Sequence, residues 1–342
     1  MKNKPKFSRF GSESEKQATE AEMKRNGNLY GQIFSYENLS KAADNAAKQK
    51  GQRRAVRSFL ARREEMIKQL METLESRSFK TSKYRSLTRF EPKRREISSV
   101  PFYPDQIMDH AIVQTLAPVW SPTFTIDTYA CIPGRGLHKA NAKIRRVLVD
   151  DPDGTRYCLL TDVRKFYASI DHETMKAILR RKIKCHGTLG LLDEIIDSHP
   201  GLPIGRYISP YLANLYLSAV DHRVKEVLKV KYYYRYNDNM VFLSGSKKEL
   251  HRVLADLKRE LGKLKLELNR STQIFPVDKR GIDFTGYVYH RGYTRLRKSI
   301  KQRIFRHKEL SEQSFAAYRG WLKWCNGINL TKKIKGKYKI KE

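Results

Sequence analysis

Cysteine is sparse and scattered in this 342-residue chain: Cys131, Cys158, Cys185 and Cys325 stand far apart and form no Cys-x-x-Cys pair. That spacing argues against a zinc-ribbon or disulfide-stapled scaffold and fits a reducing, cytoplasmic setting. Long apolar runs are missing as well. No stretch approaches the length of a membrane span and the N-terminus carries no apolar signal core, so no membrane association is expected. Acids are in short supply, 36 against 69 Lys plus Arg, for a formal net charge of +33. An excess that large repels itself unless a polyanion neutralises it, which points to nucleic acid.

Aromatic side chains are plentiful, 19 Tyr and 14 Phe, so base stacking can accompany phosphate contacts. Residues 1–28 are polar and charged and read as a flexible basic arm. From Leu29 to about Leu74 the pattern is helical, with Leu60, Ile67, Leu70, Met71 and Leu74 at three- and four-residue steps. Sixteen Lys/Arg against five acids fall between Lys48 and Arg95. Short strands are expected over Tyr84–Ser99, then, after the break at Pro101 and Pro104, a helix from Asp105 to about Leu116. Helices are also expected from Ala140 to Val149, Glu173 to Ile183 and Tyr211 to Val230, with a further one carrying Leu250, Val253, Leu254, Leu257, Leu261 and Leu264 on one face. Eight Lys/Arg and no acid lie between Arg291 and Lys308.

Chemistry concentrates at two strand ends. Cys158–Asp162 reads as a buried strand ending in an acid, and Tyr234–Gly245 as a hairpin with Asp238 at its tip. Two carboxylates on adjacent strands can converge, because such strands lie about 4.8 Å apart. They would suit a pair of Mg2+ ions, or Mn2+, of the kind that nucleotidyl transfer requires, with the Val163 carbonyl as a further oxygen ligand. Asn239 stands where a third acid is expected; it keeps the shape and one carbonyl oxygen of Asp but loses the charge. Asp109-His110, Asp171-His172 and Asp221-His222 read as helix and turn residues rather than metal ligands, and Phe315–Trp324 as a helix packing its aromatics.

Five segments in order carry a resemblance: Glu91-Pro-Lys-Arg-Arg-Glu-Ile-Ser98, Asp162-Val-Arg-Lys-Phe-Tyr167, Gly201-Leu-Pro-Ile-Gly-Arg-Tyr-Ile-Ser-Pro-Tyr-Leu-Ala-Asn214, Tyr236-Asn-Asp-Asn239 and Gly281-Ile-Asp-Phe-Thr-Gly-Tyr287. Over roughly residues 29–330 the chain resembles reverse transcriptases. The resemblance implies an α+β right-hand polymerase fold with fingers (29–128), an antiparallel-sheet palm (129–288) and a small helical thumb with a basic tail (289–342). It implies Asp162, Asp238 and Asn239 at the catalytic position and Asp162, Val163 and Asp238 around the metals. Lys93, Arg95, Phe166, Tyr167, Ile204 and Gly205 would surround the nucleotide. Tyr167 would be a steric gate against a ribose 2′-hydroxyl, favouring dNTPs.

Arg297, Lys298, Lys301 and Arg303 would contact nucleic acid. The implied partners are a template RNA, the RNA–DNA hybrid, dNTPs and a small basic accessory protein. Ile204, where many such enzymes carry Gln, makes the chain resemble most the error-prone enzymes of diversity-generating retroelements, although Ser209-Pro210 departs from their usual Ser-Gln. An antiphage defence enzyme and a catalytically impaired palm serving as an RNA-binding scaffold are the alternatives. A retron enzyme ranks lower for want of a Val-Thr-Gly signature, and an intron maturase for want of room for its extensions.

Overall fold

The computed structural model describes residues 25–90 and 94–340. Four helices open the described chain: α1 (Tyr30–Phe34), α2 (Tyr36–Ala47), α3 (Arg54–Ala61) and α4 (Arg63–Glu75). Ser35 caps α2 by accepting from the Asn38 N–H, and Ile67, Leu70 and Leu74 bury one face of α4. Leu60 departs from the expected stripe and is 43% exposed. The chain leaves helical geometry at Arg62, with φ −128°, so Leu60 belongs to the shorter α3, whose buried residues are Val56 and Phe59.

The antiparallel hairpin of β1 (Arg85–Phe90) and β2 (Arg94–Ser99) follows. Helix α5 (Ile107–Trp120) is buried along most of its length. Next come α6 (Leu137–Asp150), β3 (Tyr157–Asp162), a single 3-10 turn at Phe166–Ser169, α7 (His172–Arg180), α8 (His186–Asp197) and α9 (Ser209–His222). The strands β4 (Tyr232–Tyr236) and β5 (Asn239–Ser244) form a hairpin, and after α10 (Lys247–Lys263) comes β6 (Gln273–Pro276). These strands build one sheet in the order β4-β5-β3-β6, antiparallel at every seam.

This sheet divides two hydrophobic cores. Side chains alternate across a strand, and in β5 Met240 and Phe242 join the core of the N-terminal helices, α5 and α9. Val241 and Leu243 join the other core. That second core is shared with α11 (Val277–Arg280), the three-stranded sheet of β7 (Ile282–Phe284), β8 (Tyr287–His290) and β9 (Tyr293–Leu296), and helices α12 (Lys298–Arg306), α13 (Glu312–Leu322) and α14 (Ile328–Tyr338). The small sheet runs continuously across residue 288, where the sequence suggested a boundary. Helical layers, an antiparallel central sheet and a C-terminal helical cluster make up the expected α+β right-hand architecture.

Two acids singled out as doubtful metal ligands have structural tasks. Asp171 caps α7, accepting from the Thr174 N–H at 2.9 Å. Asp109 on α5 is fully buried and takes Arg206 Nη2 at 2.6 Å, together with the Tyr207 N–H at 3.1 Å. Removing one partner of a buried ion pair strands the other charge, which costs about 3–5 kcal/mol. Asp109→Ala is therefore expected to lower unfolding stability by about that amount in a urea titration, and an effect below about 1 kcal/mol would show that Arg206 finds solvent instead.

Candidate active site

The register of the four-stranded sheet assembles the site. Asp162 closes β3 directly opposite Asn239, the first residue of β5, and Asp238 precedes Asn239 in the two-residue turn that joins β4 to β5. Asn237 makes that turn by adopting φ 53°, a left-handed conformation that Asn tolerates better than most residues. Both acids thus sit at one end of the sheet, as the sequence suggested. Burial pushes the Asp238 carboxyl up and the charge of Asp162 adds to the push, while its own backbone N–H, the Asn239 amide and Arg95 oppose it. A carboxyl raised in part by a neighbouring carboxylate is a fitting place for divalent cations, whose charge relieves the repulsion. Val163, one residue on, is buried.

The Asn239 amide donates to Asp238 Oδ1 at 3.0 Å. Where a third acid would offer a ligand, this chain presents a hydrogen-bond donor. Among the described residues no group of three His, Cys, Asp or Glu side chains comes together as a metal site. Asp162 is oriented by two residues that sequence reading missed: Asn269 donates to Oδ2 at 3.2 Å and Ser271 to Oδ1 at 2.9 Å. Both lie between α10 and β6, and the bridge of Val163 with Leu268, together with the Asn269 N–H donating to the Asp162 carbonyl at 2.8 Å, brings them near. Their sequence signal is a short polar cluster ahead of a strand, indistinguishable from an ordinary turn.

Beneath the turn lies a buried polar network. Arg235, fully buried, donates through Nε to Asp221 Oδ1 at 2.7 Å and through Nη2 to Oδ2 at 2.5 Å. Its Nη1 reaches Asn214 Oδ1 and the Asn237 carbonyl, each at 3.0 Å. Tyr233 and Thr128 hydroxyls complete Asp221 at 2.6 and 2.9 Å. One guanidinium thus ties α9 to the turn that carries Asp238.

The loop that carries Ile204 and Gly205, expected near a nucleotide, begins against Tyr167. Gly201 has φ +63°, and a Cβ there would sit 2.5 Å from the Tyr167 carbonyl; the Leu202 N–H donates to that same oxygen at 2.7 Å. Farther along the loop, the Ile204 carbonyl accepts from the Ser98 N–H at 2.8 Å. Gly205, at φ +126°, would place a Cβ 2.9 Å from the Ser98 carbonyl. The side chain of Ile204 is 37% exposed rather than packed under the loop. Burial, then the Cys131 thiol and the Asp238 carboxylate, push the Tyr167 hydroxyl well above its usual range, with Arg235 and Arg95 pulling back. Tyr167 is accordingly a neutral phenol near Asp238, and the charge of Arg95 reaches both.

Phe166 differs from the expectation of a nucleotide contact. Its ring is buried at 3% exposure and packs edge-on against Tyr167, centroids 5.5 Å apart. The 3-10 turn, with about three residues per turn, sends it into the core, where it backs Tyr167. Lys93 lies outside the described residues. On the C-terminal side, Arg297 is engaged by Asp283 at 2.5 Å, so its guanidinium braces β7 against the start of α12. Lys298, Lys301 and Arg303 lie on α12 itself.

A profile of the family described as "Reverse transcriptase (RNA-dependent DNA polymerase)" matches residues 91–289, a span holding both acids and the loop around Ile204. The chain belongs to the reverse transcriptase family. Among curated relatives, the Group II intron-encoded protein LtrA of Lactococcus lactis subsp. cremoris is 24% identical over 217 residues, covering 60% of this chain and 35% of that protein. Protein YkfC of Escherichia coli (strain K12) is 23% identical over 233 residues, 55% of this chain and 61% of that one. The chain therefore spans between a third and two thirds of the length of these relatives. Among solved structures, apo telomerase from Candida tropicalis aligns with a TM-score of 0.46 at 13% identity, over 62% of this chain and 47% of that one. No helix of the described residues is long and apolar enough to cross a membrane.

The buried network gives a test of its own. Arg235→Gln leaves Asp221 a buried charge without its cation and should destabilise by about 3–5 kcal/mol. In a double-mutant cycle with Asp221→Asn, measured by urea unfolding, the second substitution should recover part of that loss; strictly additive losses would mean that the two side chains act independently.

Proposed function

We propose that the chain is the RNA-directed DNA polymerase of a retroelement, copying a structured RNA into cDNA at the site formed by Asp162 and Asp238. The observation that carries this reading is the register of Asp162 against Asn239, the residue after Asp238, at one end of the sheet. Asp162 and Asp238 would hold the divalent cations, magnesium or manganese. When bound, such ions lower the pKa of the attacking hydroxyl and neutralise charge on the leaving pyrophosphate.

The residues of the chain then supply positioning. The primer 3′-oxygen forms a bond to the α-phosphorus as the bond to the pyrophosphate oxygen breaks, and the hydroxyl proton is lost to solvent. Arg95, and Lys93 beside it in sequence, would hold the triphosphate, for which the guanidinium fork is well shaped. Tyr167, braced by Phe166 and by the Gly201–Leu202 backbone, would present its ring edge to the sugar and exclude a 2′-hydroxyl. Asn269 and Ser271 keep Asp162 aimed at the cation position. The basic surfaces would hold template and hybrid through phosphates and A-form shape.

Asn239 sets the expected rate. With an amide donating to Asp238, the site has one negative charge fewer and one carboxylate oxygen already occupied, so cation affinity and turnover are reduced. This supports a weakly active or scaffold-like polymerase. The exposed Ile204, bonded by its carbonyl to the fingers hairpin, offers no amide donor near a nascent base pair, and this supports relaxed base selection as in diversity-generating enzymes. The similarity to a group II intron-encoded protein makes an intron-like RNA the first template class to try.

Primer extension on an RNA template tests the assignment directly. The chain as it stands should extend weakly with Mg2+ and better with Mn2+; Asn239→Asp should raise the rate at least tenfold, and Asp162→Ala should abolish it. Equal rates for the chain and Asn239→Asp would overturn the role given to the third position. Tyr167→Ala should increase ribonucleotide incorporation relative to dNTPs by tenfold or more in the Asn239→Asp background; an unchanged ratio would remove Tyr167 from the sugar.

A further inference from the structure

A cavity of about 700 Å3 lies between the last three strands and the C-terminal helices, within the range of about 300–1,000 Å3 typical of ligand sites. Six cations line it, Lys279, Arg280, Arg295, Lys298, Lys301 and Lys333, and its lining contains no carboxylate. The two acids of the neighbouring strands and turn are already engaged elsewhere: Asp278 takes Arg291 at 2.6 Å and Asp283 takes Arg297 at 2.5 Å. Six like charges converging without a counter-charge repel one another, and the arrangement becomes favourable when an anion enters. Val288, Leu296, Leu330 and Cys325 give the lining an apolar part, beside His290, Asn326 and Asn329. Rings orient two of the guanidinium groups, Arg280 lying 4.0 Å from the Phe275 centroid and Arg295 5.1 Å from that of Tyr293.

The cavity stands apart from the catalytic acids. Helix α11, which supplies Lys279 and Arg280, follows β6 directly, and the last residue of β6, Pro276, pairs with Tyr157 at the start of β3. Asp162 closes the other end of β3, five residues on, or about 17 Å along an extended strand. A lining that joins apolar side chains to six cations matches a nucleotide: the apolar side chains can take a base and the cations the phosphates on either side of it.

We propose that this cavity is a second RNA-anchoring site, separate from the polymerising centre, which receives one unpaired nucleotide of an RNA strand. The inference rests on the proposed RNA-templated function only in naming RNA as the polyanion. It holds the RNA at the far end of the central sheet while another part of the strand is copied. A bound anion of this kind also relieves the charge repulsion within the C-terminal cluster.

Binding of a fluorescein-labelled U20 RNA to the full chain, followed by anisotropy without dNTPs or divalent ions, tests the site independently of polymerisation. The double variant Lys279→Glu/Lys333→Glu should weaken binding at least fivefold and make the salt dependence shallower by about 1.4 in log–log slope, two phosphate contacts at about 0.7 each. A control pair at the start of α10, Lys247→Glu/Lys248→Glu, should cost less than half as much. A loss below fivefold, or one matched by the control, overturns the proposal, provided that both variants melt as the parent does. U20 carrying 4-thiouridine should photocrosslink to the peptide spanning residues 325–333; crosslinks found only on fingers and palm peptides would likewise overturn it.

Discussion

The arrangement of the site depends on one buried ion pair. Arg235 is enclosed in the sheet and holds Asp221 of α9 on one side and the carbonyl of Asn237 on the other. A charged pair this deep is an expensive way to gain stability, because desolvation offsets much of the attraction. Its return is geometric. Every lone pair and proton on the two groups finds a partner that fixes direction, so the turn bearing Asp238 cannot rotate without breaking several charged hydrogen bonds together. The left-handed Asn237, which a freer loop would avoid, persists because this network over-determines it.

A second buried pair performs the analogous task for the loop that carries Ile204. Arg206 and Asp109 fasten the loop 201–210 to α5, and Arg206 also reaches the Tyr84 hydroxyl at 3.1 Å, just ahead of β1. His110, next to Asp109, is held down to about 4 by burial and by the nearby charge of Lys50. It therefore meets Tyr207 as a neutral ring, stacked at 3.8 Å. The two halves of the site are thus built in the same manner: an apolar scaffold carries a guanidinium–carboxylate clasp, and the clasp carries a short irregular segment. In both, the flexible-looking polar residues are the ones with the least freedom.

Much of this was legible in the sequence, for physical reasons that can be named. The helices from Leu29 onward, the β1–β2 hairpin and the acids at strand ends all follow from short-range patterns: apolar spacing, turn residues, and alternation bounded by polar tips. Leu60 escaped because periodicity cannot see the one non-helical residue at Arg62 that resets the phase. Asn269 and Ser271 escaped because their role exists only once the segment around Leu268 lies beside Val163. Arg235 and Arg206 were visible as letters inside motifs, yet a cation in an apolar strand or a glycine-rich loop carries no mark of its partner, which in each case lies on a distant helix. Phe166 was expected at the nucleotide but is buried in the core; one step around a 3-10 turn swings a side chain by about 120°, and spacing alone does not fix the direction.

The closeness of Gly205 to Ser98 has a mechanical meaning. With a backbone carbonyl 2.9 Å from where a Cβ would stand, and with the Ile204 carbonyl bonded to the Ser98 amide, strand β2 and the loop at Ile204 and Gly205 form one stiff plate. A plate has no fold line at that seam. Any movement of the hairpin must flex at its two ends, near Lys83 and Val100, and must carry the loop along with it. Hairpin and loop then travel as a single body.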